Sequence, residues 1–168
     1  GAMALIVSSE PSVGVRVKMV GAGQAHFHQH LTALQDVMNT GAGSAAKLAF
    51  QEAGLTTNDI DYLGVYDSFT ITLLMLLEEI GLAPRGQAGN WAREGRFSKH
   101  SATPLNLHGG LLSYGHCGVA GAMAHLAEAH LQMTGRAGER QARRSGVSLL
   151  HADGGVLSSH VSLVLESV

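Results

Sequence analysis

A single cysteine in 168 residues, Cys117, excludes an internal disulfide and fits a reducing compartment. Aromatic residues make up only 5% of the chain, and 11 Lys and Arg stand against 13 Asp and Glu. With a net charge of -2 and so few rings for base stacking, nucleic acid is not an expected partner. The longest apolar runs, such as residues 70–77, fall far short of the roughly 20 residues that a membrane span needs, and no signal peptide opens the chain. The expectation is a soluble, cytoplasmic protein. Only three prolines occur and no Ser-rich linker interrupts the chain, so residues 1–168 are expected to form one domain. Gly1-Ala2-Met3 reads as a tag remnant.

What the chain does hold is a 45% hydrophobic content, enough for a core, and 22 glycines. Alternation over residues 13–20 (Val15, Val17 and Met19 against Arg16 and Lys18) predicts a strand that leaves its sheet at Gly21-Ala22-Gly23. Ala45, Ala46, Leu48, Ala49, Phe50 and Ala53 have helical spacing, closed by Gly54. Residues 60–65 read as a short buried strand, Tyr66-Asp67-Ser68 as its exit, and residues 70–80 as an apolar helix ending at Gly81. Residues 83–104, with Pro84, Pro104 and the lone Trp91, read as an irregular loop excursion that serves binding or tetramerisation. A helix over 117–133 places Val119, Met123, Leu126, Ala127, His130 and Leu131 on one side, with deep burial expected. Residues 147–150 and 161–165 are strands joined through Asp153-Gly154-Gly155. Strands and helices in this order predict an α/β fold with a mixed sheet and a buried central helix.

Gly115-His116-Cys117-Gly118 places one imidazole on a glycine-lined turn ahead of a helix, where a ligand can approach the backbone closely. His116 is the leading catalytic candidate, a neutral imidazole that donates to a thioester or enolate oxygen. Tyr66 and Asp67 lie where a strand ends, a common ligand position in α/β proteins, and the Tyr66 phenol is suited to donating to an oxyanion or passing a proton. For Asp67 an N-cap of the helix near Phe69 is the equal alternative. Tyr114, two residues before His116, shares its side in an extended approach, with a buried phenol as the alternative. Asn106 reads as a brace for this loop. His151 with Asp153, Gly154 and Gly155 forms a second glycine-lined turn whose amides suit a carbonyl, or a plain hairpin. His26, His28 and His30 alternate without acidic or cysteine companions at metal-site spacing, so no metal is expected. Cys117 reads as packing into a helix start rather than as a nucleophile. Arg136, Arg140, Arg143 and Arg144 form a basic cluster, read as a solvated face before a phosphate site.

Tyr66-Asp67-Ser68-Phe69, Asn106-Leu107-His108-Gly109-Gly110, Gly115-His116-Cys117-Gly118, Gln132-Met133-Thr134-Gly135 and His151-Ala152-Asp153-Gly154-Gly155 together resemble the C-terminal half of thiolases, most of all the sterol-carrier or lipid-transfer type. The resemblance runs from about Val15 onward in the family's order. It implies half of a five-layered αβαβα fold, a coenzyme A thioester as substrate, no tightly bound cofactor, and at least a dimer as a homo- or hetero-oligomer. It implies that the acyl-accepting cysteine lies in an N-terminal half from elsewhere, so that this chain is incomplete alone. His116 matches the histidine of the family's Gly-His-Pro-Gly motif, with Cys117 in place of proline. Tyr66 stands where ordinary thiolases have the asparagine of Asn-Glu-Ala-Phe, Ser68 where the sterol-carrier type has the cysteine of His-Asp-Cys-Phe, and His151 where the family has its second cysteine. Asp67, Ser68, His151, Gly154 and Gly155 are the expected oxyanion and substrate-binding positions. Tyrosines at 66 and 114 resemble those of thiolase-like aldolases acting on steroid side-chain CoA esters, which work beside an OB-fold, zinc-containing partner. The expected activity is acyl transfer or thiolysis, with retro-aldol cleavage of a β-hydroxyacyl-CoA, or a non-catalytic scaffold subunit, as alternatives.

Overall fold

The strand predicted over residues 13–20 begins later and runs further than its sequence suggests. In the computed structural model, which describes residues 2–10, 14 and 16–168, β1 spans Val17–Ala25. Val13 and Val15 lie outside the described residues. The strand passes straight through Gly21 and Gly23 where an exit to a loop was expected. A Cβ on either glycine would overlap the backbone carbonyl of Ala49 or Ala45, so these residues let helix α1 (Ala42–Ala53) lie directly on the strand. Close packing, not a turn, is what these two glycines provide.

After α1 come β2 (Tyr62–Val65), α2 (Thr70–Glu79), α3 (Ala88–Arg93), α4 (Gly110–Tyr114), α5 (Gly121–Met133), β3 (Val147–Gly154) and β4 (Ser159–Ser167). The sheet order is β1-β4-β3-β2, with β2 parallel to β3 and the other pairs antiparallel, so the predicted mixed α/β sheet is present. The segment 104–106 continues the β2 edge: Leu63 donates to Pro104 O, and Asn106 donates to Leu63 O.

Two cores sandwich the sheet. Ala42, Ala46 and Ala49 of α1 and Leu76 and Leu77 of α2 meet Leu63, Val65, Leu149 and Val164 on one face. On the other, α5 covers Tyr62, Leu150 and Leu165 with Ala129 and Met133. Each fully buried leucine contributes about 1.5–3 kcal/mol.

Three expectations need correction. The excursion 83–104 is not wholly irregular, because it contains α3, whose start is held by a carboxylate of α2: Glu78 accepts from Ala88 N, the first amide of the helix, and from Gly86 N just before it. The buried side of α5 carries His125, Glu128, Ala129, Gln132 and Met133, while Met123, Leu126, Ala127, His130 and Leu131 are half-buried. Polar residues occupy the inner face because each of two finds partners there. Glu128 receives Arg140, and Gln132 accepts from Ala142 N and donates to Arg140 O. The side chain of Val119 lies outside the described residues. Both C-terminal strands are also longer than predicted, since paired polar residues (His151, Asp153, His160, Glu166) extend the ladder where apolar patterning ends. No helix among the described residues is long and apolar enough to cross a membrane.

Candidate active site

The parallel pair β2–β3 ends in two loops, and the candidate site is built there. Register pairs Val65 with His151, and Tyr66 N donates to His151 O at 2.9 Å, which fixes the first residue beyond β2. Asn106, at a φ of 47°, accepts from Val65 N through Oδ1 and donates to Val65 O through Nδ2. Its side chain thus replaces a neighbouring strand, the bracing role expected of it, and holds Tyr66 from the other side.

Tyr66 Oη lies 2.6 Å from His116 Nε2. The direction of that bond follows from the far side of the ring. Gly118 N donates to His116 Nδ1 at 3.0 Å, so Nδ1 carries no proton, and in the neutral imidazole the proton is on Nε2. His116 therefore donates to Tyr66, and the Tyr66 O–H is left free to donate onward. Burial, then the negative charges of Asp153 and Asp67, push the phenol above its ordinary value, so it stays protonated at neutral pH. His116 is exposed and Tyr66 half-buried, so the pair faces an opening. The arrangement is a neutral donor relay that opens toward solvent.

Asp67 is buried and does not cap α2, whose N-cap residue is Phe69, with Thr72 Oγ1 donating to Phe69 O. It accepts instead from Leu111 N at 2.8 Å and Leu112 N at 3.3 Å, capping α4 from a distance. Burial alone would raise its carboxyl, but His125 and these two amides outweigh burial and hold it below its ordinary value. A Cβ on Gly110 would overlap this carboxylate, and Gly110 sits at a φ of 67°. The sequence reading missed α4 because its cap lies 44 residues upstream. That helix also corrects the extended approach expected for Tyr114. As the last residue of α4, Tyr114 is 70% exposed, and its ring lies 5.8 Å from that of His108. Ser68 Oγ is 3.2 Å from Thr72 Oγ1, at the mouth of the same loop.

His151 is fully buried, with both ring nitrogens engaged. His160 Nε2 must donate to Leu157 O, so His160 Nδ1 accepts from His151 Nε2 at 3.2 Å and His151 Nδ1 accepts from Ser162 Oγ at 2.8 Å. Burial first, then His160, pushes His151 down to about 3. Its ring thus serves the sheet, and only its carbonyl reaches the site, through Tyr66. Gly154 ends β3 and Gly155 begins the turn, whose next residues Val156 and Leu157 both adopt a φ of 60°. Asp153, with one buried oxygen unpartnered and the other accepting from Leu157 N, is pushed up to about 6 by burial.

Cys117 is exposed. Two of the four clustered arginines are engaged structurally, Arg140 with Glu128 and Arg144 with Asp61. His28 is buried while His26 and His30 are exposed, and among the described residues no group of three is arranged to hold a metal ion. The residues that sequence reasoning missed are His125 and His108. His125 packs edge-on against Tyr66 and His108 against His125 with ring centroids 5.0 Å apart; His108 lies within the Asn106–Gly110 motif but was given no role, and no sequence signal marked His125.

A family model described as thiolase C-terminal domain-like matches residues 23–167. Among curated relatives, the acetyl-CoA acetyltransferase of Methanothermobacter thermautotrophicus is 32% identical over 130 residues, which cover 77% of this chain and 33% of that protein. Human sterol carrier protein 2 is 36% identical over 107 residues, 64% of this chain and 20% of that one. Among solved structures, an Ltp2-ChsH2(DUF35) aldolase superposes with a TM-score of 0.78 at 26% identity, covering 90% of this chain and 39% of its own. The chain therefore spans a third or less of these two curated relatives' lengths.

Proposed function

We propose, from the premise that this chain belongs to the thiolase C-terminal domain-like family, that it is the C-terminal part of an acyl-CoA enzyme completed by an N-terminal half from elsewhere. The observation that carries the reading is the 2.6 Å contact between Tyr66 and His116, with Gly118 N fixing the tautomer. Acyl transfer and thiolysis pass through a tetrahedral oxyanion, and retro-aldol cleavage passes through an enolate. In each case negative charge develops on the thioester oxygen, where the Tyr66 O–H donates with His116 polarising it from behind. On the family resemblance, Asp67, Ser68, His151, Gly154 and Gly155 are assigned to substrate binding around that position.

One feature favours retro-aldol cleavage as the second reading. The groups meeting at this site are a phenol and an imidazole, with oxygen where thiolase chemistry uses a thiol. Cleavage of a β-hydroxyacyl thioester breaks the Cα–Cβ bond, leaves a carbonyl product and carries the electron pair to the thioester oxygen. The β-hydroxyl proton goes to a base, a role assigned to the exposed Tyr114 or to the completing half. An OB-fold partner, implied by the resemblance to thiolase-like aldolases, belongs to this reading, which the likeness to the Ltp2-ChsH2(DUF35) aldolase supports.

The test is made on the assembled enzyme, offered acetoacetyl-CoA with free coenzyme A and, separately, a β-hydroxyacyl-CoA. Tyr66→Phe and His116→Ala each remove one donor, and kcat should fall about 10²–10³-fold on whichever substrate is used. Turnover of either substrate that ignores both substitutions would overturn the assignment.

A further inference from the structure

We infer that His125, held by Asp67, is the positioning residue for Tyr66, an inference that rests on the donor role just proposed for that phenol. Tyr66 lies over the start of α5 at Gly121, where a Cβ would stand 3.4 Å from Cε2 of its ring. One turn further along, the His125 ring is 2% exposed and meets the phenol ring at 6.2 Å and 60°, edge to face. Gly121 puts the start of α5 in contact range of the phenol, and His125 forms the wall behind it.

The wall is itself fixed. His125 Nε2 lies 3.4 Å from Asp67 Oδ1, within ion-pair range, and neither ring nitrogen has a hydrogen-bond partner among the described residues. On its far side the ring abuts His108 at 5.0 Å and 85°. Burial, then the charge of His125, lowers the His108 imidazole. The same Asp67 carboxylate takes the amides of Leu111 and Leu112 in α4, whose end leads directly to His116. One buried acid, itself the residue following Tyr66, thus joins the phenol's own backbone to the helix that delivers His116 and to the ring that backs the phenol. A hydrogen bond of 2.6 Å between Tyr66 and His116 tolerates little lateral drift, and this three-way tie limits it.

The readout is available without turnover. The chain has three tyrosines and ten histidines, so tyrosine labelled at Cζ and histidine labelled at both ring nitrogens give a countable set of resonances. His125→Gln keeps a polar group within reach of Asp67 and removes the ring face. His125→Ala removes both. The expected result is displacement of the Tyr66 Cζ signal, and loss of the Nε2–H tautomer signature of His116, in both variants. His151 and His160, on the opposite face of the sheet, should keep wild-type signals and report that the fold is intact. In the assembled enzyme kcat should fall about 10²-fold with KM unchanged, the signature of a misplaced donor rather than lost binding.

Unmoved Tyr66 and His116 signals in a folded His125→Gln chain overturn the inference. Should His125→Ala fail to fold, the glutamine variant alone decides. Displaced signals in an enzyme that turns over neither substrate would keep His125 as the support of Tyr66 and refute the proposed reaction, so the two failures are distinguishable.

Discussion

Acid should reveal an offset built into the end of β3. The imidazole of His151 is pushed down to about 3, so as pH falls the unfolded chain, at an ordinary value of 6.5, takes up that proton first. Stability is therefore lost from about pH 6.5 downward, at about 1.4 kcal/mol per pH unit. Two residues on, Asp153 is pushed up to about 6 against an ordinary 3.8, so the folded chain binds its proton first and stability is gained as pH falls below 6. Between pH 8 and pH 5, linkage gives a loss of about 2 kcal/mol from His151 and a gain of about 1.4 kcal/mol from Asp153. The two nearly cancel. Asp153→Asn removes the gain and leaves the loss, so the variant should lose about 1.4 kcal/mol more than the wild type over that interval. His160, also buried and lowered, titrates in both proteins and drops out of the difference. Urea unfolding at pH 8 and pH 5, with equal m-values, measures it. Parallel losses in the two proteins would refute the assignment of Asp153 as a carboxyl that prefers its proton in the folded state.

Two further substitutions probe the scaffold of the site. Asn106→Ala removes both hydrogen bonds to Val65 and leaves a residue without a side-chain amide at a φ of 47°, so urea unfolding should show a loss of about 2–3 kcal/mol. Gly110→Ala drives a methyl into the Asp67 carboxylate at a φ of 67°, and a thermal melt should show Tm lowered by roughly 5 °C or more.

Elements whose signals are local were legible in the sequence. The helix over Ala42–Ala53, its stop at Gly54 and the β2–α2 unit follow from apolar spacing and a terminating glycine. Where the sequence misled, the deciding contact came from far along the chain. Asp67 caps α4 across 44 residues, so neither the helix nor its effect on Tyr114 shows in a window of ten. Gly21 and Gly23 look like turn residues until α1 is laid against them. The inner face of α5 was assigned to Met123 and Ala127 by hydropathy, and it is taken by Glu128 and Gln132 because residues 140–142 supply their partners. For the site, Tyr66 and His116 were legible as chemistry-bearing residues on two loops. That they meet, with the proton on a particular nitrogen, depends on a backbone amide two residues beyond His116 and has no signature in residue type.

That amide decides what the pair can do. An imidazole with a free Nδ1–H would accept from Tyr66 at Nε2 and help the phenol lose its proton, making it a base. Gly118 N occupies Nδ1 as a donor, which turns the ring around electronically: Nε2–H points at Tyr66, and the phenol is a better acid toward whatever lies beyond it. Burial and the charges of Asp153 and Asp67 oppose that effect on acidity by raising the phenol, and their consequence is that it rests protonated, with a hydrogen to donate. In the proposed retro-aldol reaction the proton acceptor is then a different group, and on this chain Tyr114 is the exposed phenol available for it.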